Sequence, residues 1–589
     1  MLVAAALLLV QLVNLQVVRA SHFVSVSNSQ LVSDVQITPL RAPIYDRNGQ
    51  ALAMSVPVTA AVVDDNFVYH PAREAAVLAT VLGAPESTIY KALTSMVLYK
   101  GKLERNGEAV LSANVTPLVA KELNANPALY PGVTTISSSQ RTYPDGSLAS
   151  SVIGTQQSTG IGSAGIEYEF QHLLAGSGGL ERILRSPNYD VRLPSTQVTV
   201  LRKPVTGTGL ELTIDAPLQF VTEQALGTEL VDAHALSGTA IVMDTQTGQI
   251  LSMANLINTN EQDPLLPQSQ HWITPTGVPG VFDAQNNLAV TNTYEPGSVF
   301  KIVPFSAALL AGQITPTTPF SIPDQVVIDN HLFHDAEQHG LLRYTATQIL
   351  EYSSNIGTYE ISQRVGESGL LAGVERLGFG QPTGLNFPGE SSGLLMNAAG
   401  FSPTDIAALP IGQEDAVTPL QVLDAYNTIA DGGTFITPSL VRARVTAAGT
   451  VVPVAKPMSR RALPSDVAST LTNMLVQVVS GGTGTSAGVA GYTIAGKTGT
   501  AQIPYPGRAA YIPGAYNATF VGFAPAEHPV LSMIVVIQRP TPVIYGGYVS
   551  APVFARVMGY ALHRYGVPST RGVTPVLSGG SVSFLQDVT

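Results

Sequence analysis

Cysteine is absent from all 589 residues of the chain, and its absence excludes several kinds of chemistry. Disulfide bonds, thiol nucleophiles and thiolate metal sites all require that side chain. The ten histidines show no HExxH or comparable ligand spacing, so we predict neither a metal site nor a cofactor. The lack of cysteine does not identify the cellular compartment, because an oxidising exterior would simply have nothing to oxidise.

Charge is also scarce, since charged residues make up 12% of the chain and hydrophobic residues 45%. This composition is typical of globular proteins with large cores rather than of disordered ones. The formal net charge is −11 and no basic block occurs, which argues against a nucleic-acid partner. A chain of this length predicts two to four domains.

An uncharged apolar run, MLVAAALLLVQLVNLQVV, occupies residues 1–18. A helix of that length spans about 27 Å, close to the thickness of a bilayer core. We favour an uncleaved transmembrane anchor; the alternative is a signal peptide cleaved near Val18-Arg19-Ala20, where arginine fits poorly. No basic residue precedes the run and Arg19 follows it, the reverse of the positive-inside rule. Either the true start lies upstream, or only Met1 and the α-amino group face the cytoplasm.

Residues 21–214 have the pattern of short strands, turns and a few helices, without a set of catalytic motifs. Residues 70–83 predict an amphipathic helix, and Asp215 is a suitable N-cap for a second helix over 216–234. The turn-rich stretch 201–215 marks a boundary between these two regions. We therefore predict an N-terminal domain over 21–214, a second domain over 215–570 and a tail over 571–589.

The second predicted domain has strand patterns at both of its ends and helices between them. Residues 238–255, GTAIVMDTQTGQILSMAN, predict a β-hairpin. Three more strands are predicted over 492–502, 518–524 and 531–539, the last two as antiparallel neighbours joined by a tight connection. This order predicts one mixed α/β domain that is closed by its own termini.

Lysine is another rare residue, yet Lys301 lies three positions after Ser298 in TYEPGSVFKIV. Positions three apart share one face of a helix, and a neutral amine can be the base for a serine nucleophile. Pro304 should kink or shorten the helix predicted over 298–310. Taken alone, the spacing fits an ordinary solvated lysine better, because short motifs recur by chance.

Two further motifs follow within the same predicted domain. EYSSNIG places Ser353 and Asn355 on or beside a helix, and AGKTGTAQ places Lys497 on a strand. Ser-x-Asn also occurs elsewhere in the chain and means little alone, whereas Lys-Thr-Gly occurs once. The three motifs in this order are the signature of serine β-lactamases and penicillin-binding proteins.

These motifs predict an acyl-transfer site with a role for each side chain. Ser298 attacks a carbonyl, and Lys301 accepts its proton if burial and a nearby positive charge lower the pKa of Lys301. Ser353 relays a proton to the leaving amine, and Asn355 holds Lys301 and bonds the substrate amide. Lys497 supplies a fixed positive charge that keeps Lys301 neutral and attracts a substrate carboxylate.

The remaining residues of the Lys-Thr-Gly-Thr motif are predicted to bind substrate. Thr498 and Thr500 offer hydroxyls to the carboxylate, and Gly499 lets the substrate backbone approach the strand. The backbone N–H groups of Ser298 and Thr500 are predicted to form the oxyanion hole, worth about 3–4 kcal/mol per donor. Glu295 is predicted to shape the loop before Ser298 without taking part in the chemistry.

From about Arg41 to about Phe554 the chain resembles the class B penicillin-binding proteins. RAPIYDRNGQALA and GSAGIEYEFQHLLAGSGG resemble the N-terminal motifs of that family, and YEPGS and GKTGTAQ resemble its catalytic motifs. The sequence departs from the family pattern at Ala42-Pro43, Val299 and Ser550. None of these departures falls on a residue to which a chemical role is assigned.

The resemblance implies a transmembrane helix, an elongated α+β pedestal domain of the dimerisation type, and a transpeptidase domain with an antiparallel sheet flanked by helices. The implied activity is peptidoglycan D,D-transpeptidation, with covalent binding of β-lactams. The implied location is the cytoplasmic membrane, crossed once, with the catalytic domain outside. The implied partners are stem peptides, a membrane glycan polymerase of the SEDS type, and proteins of the division or elongation machinery.

Two alternatives remain open at this point. A D,D-carboxypeptidase or β-lactamase would pass the acyl group to water, although the long N-terminal region and the apolar run argue against it. A β-lactam-binding sensor or catalytically idle scaffold would need no turnover, although the complete motifs argue against idleness. The sequence does not distinguish septal from side-wall growth and does not identify the acceptor amine.

Overall fold

The computed structural model describes residues 2–23, 32–64, 67–99, 102–105, 108–157, 160–184, 199–263, 276–395, 401–402, 404–508 and 510–570. The predicted tail over 571–589 lies outside these residues. The N-terminal apolar run is helical, with an α-helix over Leu2–Val13 that continues as a π-helix over Asn14–Val18. Within the described part of the chain, no helix combines the length and the apolar character needed to cross a membrane.

A seven-stranded sheet organises the N-terminal region. Its central strand, Ala51–Asp64, pairs antiparallel with Ile44–Tyr45, Glu108–Ser112 and Val133–Thr142. Smaller sheets are formed by Val32–Ile37, Gly179–Leu184 and Thr199–Arg202, and by Met96–Tyr99 with Lys102–Arg105. The α-helices of this region are Pro71–Leu82, Glu86–Leu93, Pro117–Ala125, Ser150–Ile153, Gly165–Glu169 and Gln171–Leu174. The predicted helix over 70–83 is confirmed, and it ends at Gly83, whose φ of 63° suits a glycine cap.

A six-stranded antiparallel sheet organises the second region. Its spatial order is Val281–Asp283, Ile250–Asn258, Ser237–Asp244, Leu531–Gln538, Tyr511–Ala524 and Ala495–Pro504. The predicted hairpin and the three predicted C-terminal strands are therefore confirmed. The first strand of the region in chain order pairs with the last one, Ser237 opposite Gln538. The second region is thus closed by its own termini, as predicted.

Helices cover both faces of this sheet. One face is covered by two long helices, Ala216–Asp232 and Gly546–Arg564. Phe520 of the sheet faces them and meets the ring of Phe554 at a centroid distance of 4.7 Å. Val521 belongs to the core on the opposite face, because successive strand residues alternate in direction. The helices in that second core and around it are Leu288–Thr291, Ile302–Leu310, Ala346–Glu351, Asn355–Arg376, Asp405–Ala408, Pro419–Ala430 and Ser465–Ser480.

Short elements complete the second region. The paired strands are Pro319–Ile322 with Leu342–Thr345, Gln325–Ile328 with His331–His334, and Thr434–Ile436 with Ser459–Arg461. The 3₁₀ helices are Gly297–Lys301, Leu409–Ile411 and Thr485–Ala487. The predicted N-cap at Asp215 is confirmed, since its carboxylate accepts from the N–H of Leu218 at 3.4 Å. The region also contains a departure from regular geometry at Gly366, inside Asn355–Arg376.

Strand Gly209–Leu212 connects the two regions. It pairs parallel with Ile44–Tyr45 and antiparallel with Val441–Val445, which in turn pairs with Val451–Pro453. The last two strands come from the second predicted domain, so the seven-stranded sheet contains segments from both sides of residue 214. The division of the chain at that residue stays a prediction.

The segment around Ser298 differs in detail from its prediction. Instead of one helix over 298–310 that Pro304 kinks or shortens, the chain forms a 3₁₀ turn over Gly297–Lys301 and then the α-helix Ile302–Leu310. Pro304 therefore lies in the first turn of the α-helix, where its missing N–H leaves no intrahelical hydrogen bond unmade. The tighter turn comes first and the regular helix follows it.

Candidate active site

Ser298 lies half-buried in the 3₁₀ turn, and contacts from distant segments hold this turn in place. The N–H of Gly297 donates to the carbonyl of Gly412 at 3.0 Å. A Cβ on Gly412 would lie 2.2 Å from the carbonyl oxygen of Gly297, so only glycine allows this approach. The carbonyl of Val299 accepts from the hydroxyl of buried Tyr426 at 2.8 Å. The turn is thereby fixed on both sides of Ser298.

Lys301 and Lys497 meet at the hydroxyl of Ser353. The Nζ of Lys301 lies 3.2 Å from Ser353 Oγ, and the Nζ of Lys497 lies 3.0 Å from the same atom. Lys301 also donates to the carbonyl of Ser353 at 2.5 Å and to Oδ1 of Asn355 at 2.9 Å. The structure thus joins residues from all three sequence motifs, which lie far apart in the chain, through one hydroxyl group.

Both lysines are completely buried, with 0% of each side chain exposed. Burial lowers the pKa of Lys301 to about 7, although the negative charge of Asp335 acts in the opposite direction. Burial and the positive charge of Lys301 lower the pKa of Lys497 well below its ordinary value. Since two adjacent buried ammonium groups repel each other, the pair gives up one proton far more readily than two exposed lysines would. The site therefore contains a neutral amine near physiological pH.

Ser353 has a backbone conformation that is rare for a residue with a side chain. Its φ of 59° lies in the left-handed region, between the helices Ala346–Glu351 and Asn355–Arg376. Ser354 then caps the second helix, since its Oγ accepts from the N–H of Gly357 at 2.9 Å. The left-handed turn directs both the carbonyl and the hydroxyl of Ser353 to Lys301.

The Lys-Thr-Gly-Thr motif lies on Ala495–Pro504, the edge strand of the six-stranded sheet. Thr498 Oγ1 is 2.7 Å from Thr483 Oγ1, and Thr500 Oγ1 accepts from the N–H of Gly546 at 3.3 Å. These contacts fix the orientation of both hydroxyls. The predicted contacts of Thr498 and Thr500 with a carboxylate stay predictions, as does the oxyanion hole formed by the N–H groups of Ser298 and Thr500.

The structure adds a packing reason for a glycine at position 499. The prediction that Gly499 lets the substrate backbone approach the strand stays a prediction. A Cβ at Gly499 would lie 2.9 Å from the carbonyl oxygen of Pro296 and 3.1 Å from Cγ1 of Val299. The glycine therefore lets the turn that carries Ser298 pack directly against the edge strand.

Several residues that support the site were not found from the sequence. Thr483 lies in a glycine-rich turn, and nothing in its spacing indicates a contact with Thr498. Asp335 lies in a loop of ordinary composition, although it contacts the Ser353–Asn355 turn. Glu295 has the structural role predicted for it, because its buried carboxylate accepts from the hydroxyl of Tyr511 at 3.0 Å. The contacts of Thr483 and Asp335 connect distant segments of the chain, so the local sequence pattern does not indicate them.

Comparisons with known proteins agree with this arrangement. The penicillin binding protein transpeptidase domain matches residues 238–559, and the penicillin-binding protein dimerisation domain matches residues 36–212. Penicillin-binding protein PbpB of Mycobacterium tuberculosis is 33% identical over 98% of this chain and 85% of that protein. Peptidoglycan D,D-transpeptidase FtsI of Escherichia coli is 31% identical over 96% of this chain and 90% of that protein.

Solved structures show the same likeness. The crystal structure of penicillin binding protein 3 from Mycobacterium tuberculosis, complexed with ampicillin, has 28% sequence identity and a TM-score of 0.68. The alignment covers 92% of this chain and 98% of that one. A peptidoglycan synthetase from Bifidobacterium adolescentis has 25% identity and a TM-score of 0.69, over 92% of this chain and 98% of that one.

An antiparallel sheet between helices, with one buried lysine on its edge strand and a serine and a second buried lysine beside that strand, defines a protein of the penicillin-binding transpeptidase class. The chain belongs to the class B penicillin-binding proteins. The family and the mixed α/β fold with a pedestal, both inferred from sequence motifs, are thereby confirmed.

Proposed function

We propose that the chain is a serine-type peptidoglycan D,D-transpeptidase that uses Ser298 as its nucleophile. A stem peptide ending in D-Ala-D-Ala acylates Ser298, and an amine of a neighbouring stem then accepts the acyl group, which cross-links the wall. β-Lactams acylate the same serine. The observation that carries the proposal is the hydrogen-bonded connection of Lys301 and Lys497 through Ser353, with both lysines fully buried.

Acylation begins with proton transfer from Ser298 to the neutral amine of Lys301. The Ser298 oxygen bonds to the carbonyl carbon of the penultimate D-alanine, and the oxyanion hole at Ser298 and Thr500 stabilises the charge that develops on the carbonyl oxygen. The C–N bond to the last D-alanine breaks, and Ser353 passes a proton to the departing amine. The hydrogen bonds of Ser353 to both lysines support this relay role.

Substrate binding adjusts the charge of the lysine pair. We propose that the terminal carboxylate of the stem binds beside Lys497, Thr498 and Thr500, while Asn355 bonds the substrate amide. Because a nearby carboxylate favours the ammonium form of Lys497, the repulsion from that ammonium then favours the neutral form of Lys301. Lys497 thereby becomes the fixed positive charge predicted from the sequence, and Lys301 becomes the base.

The molecule that accepts the acyl group from Ser298 distinguishes a transpeptidase from a carboxypeptidase and from an idle scaffold. We expect the purified protein, given a D-Ala-D-Ala stem-peptide analogue and a D-amino acid, to exchange the terminal D-alanine for the added amino acid. Release of D-alanine with water as the sole acceptor would instead indicate a carboxypeptidase. The absence of any turnover, with β-lactam binding retained, would indicate a sensor or an idle scaffold. Mass spectrometry of the peptide products separates these results, and the Ser298→Ala variant is the blank.

We propose further that the apolar run over 1–18 anchors the chain once in the cytoplasmic membrane, with the pedestal over 21–214 and the transpeptidase domain over 215–570 outside. Its amino-acid composition supports this role. Anchoring keeps the enzyme near membrane-bound wall precursors. It also keeps the enzyme near a glycan polymerase of the SEDS type and the proteins of division or elongation.

A chain that begins at Ser21 tests the anchor. We expect it to bind penicillin at Ser298 about as fast as the full chain, because no described catalytic residue lies before position 298. Exported by a separate signal, it should nevertheless fail to replace the full chain in cells, since tethering raises local concentration. Complementation of a conditional null strain measures this. Full rescue would contradict an anchoring role and favour a cleaved export signal.

A further inference from the structure

Asp335 is a buried carboxylate that supports the Ser353–Asn355 turn from outside it. Its Oδ1 accepts from the backbone N–H of Asn355 at 2.5 Å and from that of Ile356 at 3.0 Å. Its Oδ2 accepts from the hydroxyl of Ser354 at 2.8 Å. The carboxylate thus binds three consecutive residues at the start of a helix, where a negative charge also interacts favourably with the helix dipole.

The hairpin that precedes Asp335 makes a second contact with the same motif. The hairpin is formed by Gln325–Ile328 and His331–His334, and the carbonyl of His334 accepts from Nδ2 of Asn355 at 3.2 Å. This bond leaves Oδ1 of Asn355 to accept from Lys301. The hairpin end therefore fixes both the backbone and the side-chain amide of Asn355.

These contacts connect Asp335 to Lys301, the proposed base, through the Ser353–Asn355 turn alone. Lys301 is held by the carbonyl of Ser353 and by Oδ1 of Asn355, and both acceptors belong to the turn that Asp335 binds. Within this turn, Ser353 has a positive φ, and a residue with a side chain keeps that conformation only when its surroundings impose it. Asp335 and Lys301 thus bind the same turn through different groups.

Asp335 is also a negative charge that acts on Lys301. It raises the pKa of Lys301 against the larger effect of burial. Its Oδ2 also lies 3.1 Å from Nε2 of His339, whose pKa is raised by a hydrogen bond to the carbonyl of Gly340 and by Asp335. The other titratable groups near Asp335 are His334, whose Nδ1 lies 2.6 Å from the carbonyl oxygen of Asp335, Asp324, which accepts from the N–H of His339, and Tyr344, on which Asp335, Glu351 and Tyr352 all act. Lys497 lies one residue further away, on the hydroxyl of Ser353.

We propose that Asp335 is a positioning residue for acylation, which orients the Ser353–Asn355 turn and, through that turn, the amine of Lys301. The inference rests on the proposed function, since it assigns to Asp335 a task in the same reaction. Asp335 does not touch the substrate; it acts through residues that do. The charge of Asp335 adds a second effect, because it stabilises the protonated form of the base.

The Asp335→Asn variant separates positioning from a merely structural role. The amide keeps the size of the side chain but loses the charge and one acceptor. We expect the second-order rate of β-lactam acylation to fall by about 10²-fold, because a small misplacement of reacting groups can cost this much. Without the negative charge the pKa of Lys301 falls further, so the midpoint of the acid limb of the pH–rate profile should move to lower pH.

Two further variants complete the experiment. Asp335→Glu keeps the charge but displaces the carboxylate, so we expect a lower rate with the midpoint unchanged. Asp329→Asn neutralises an exposed carboxylate at the tip of the same hairpin, where asparagine tolerates the φ of 46°, and should leave rate and midpoint as in the natural protein. Thermal melting of each full-length variant shows whether it is folded, and Asp335→Glu decides the question if Asp335→Asn does not fold.

The outcomes are distinct. A wild-type rate in Asp335→Asn or in Asp335→Glu would overturn the proposal, and so would a lower rate in Asp335→Asn with an unmoved pH midpoint. Failure of the natural protein to be acylated at Ser298 would overturn the proposed function itself. The Asp335 variants therefore test the positioning role, and the natural protein in the same experiment tests the proposed function.

Discussion

Replacing Lys301 by alanine is expected to lower the rate of β-lactam acylation by about 10²–10⁴-fold, the usual contribution of a positioned general base. The substitution removes an amine that is hydrogen-bonded to both Ser353 and Asn355. It leaves the partly buried acceptors of Ser353 and Asn355 without their donor, so a modest loss of thermal stability should accompany it. The measurement is the rate of covalent labelling by a fluorescent penicillin, with thermal melting recorded in parallel.

The Lys301→Arg variant is the matched control for charge. Arginine keeps a positive charge and donors at this position but does not lose its proton near neutral pH, so it cannot act as a base. We expect a rate loss of the same order as in Lys301→Ala. Recovery of the natural rate in Lys301→Arg would mean that the position supplies charge rather than a base. A natural rate in Lys301→Ala would place the base elsewhere.

The pH dependence of the natural protein follows from the same residue. Only the neutral amine accepts a proton from Ser298, and burial lowers the pKa of Lys301 to about 7. The acylation rate should therefore rise with pH, reach half of its maximum near pH 7 and level off at higher pH. An exposed lysine would place this rise more than three pH units higher, near its ordinary value of about 10.4.

Replacing Ser298 by alanine is expected to abolish covalent labelling completely, because Ser298 is the proposed nucleophile and alanine has no oxygen to form the acyl–enzyme bond. The fold should be unaffected, since Ser298 is half-buried and a hydroxyl is lost without creating a large cavity. Ser306→Ala is the matched control on the following helix. Its hydroxyl donates only to the carbonyl of Val303 at 2.8 Å, so this variant should label at the natural rate.

Local sequence signals were sufficient for most of the regular elements. Asp215 with a proline two residues later indicates a helix start, and the structure places the helix Ala216–Asp232 there. The hairpin over 238–255 follows from two apolar runs and a glycine-containing turn, and its strands are Ser237–Asp244 and Ile250–Asn258. In each case the determining residues lie within a few positions of the element that they define.

The geometry of the Ser298 turn depends instead on contacts between distant segments. Gly297 and Gly412 lie far apart in the sequence but approach each other closely in the fold, and Gly297 lies in a 3₁₀ turn that precedes the α-helix. Neither motif spacing nor helix propensity indicates this approach. The left-handed backbone of Ser353 has the same origin, because Lys301 binds its carbonyl from another helix. Such features become visible only when the fold is known.

The sequence predicted the catalytic residues of the site better than the residues that hold them in position. Motif spacing alone indicated that Ser298, Lys301, Ser353, Asn355 and Lys497 would act together, and the structure joins the two lysines through Ser353. Asp335 was missed because its contacts are long-range and its neighbours in sequence are unremarkable in composition. At Gly499 the missing side chain makes room for the Ser298 turn, a contact that the sequence did not indicate, and the approach of the substrate backbone to this strand stays a prediction.

The position of the covalent bond tests the central claim most directly. The full-length protein is labelled with a penicillin and digested, and the modified peptide is fragmented in a mass spectrometer to identify the residue that carries the added mass. The account predicts a single adduct on Ser298, and none on the Ser298→Ala protein treated in the same way. An adduct on Ser353 or Ser354, or persistent labelling of Ser298→Ala, would contradict it.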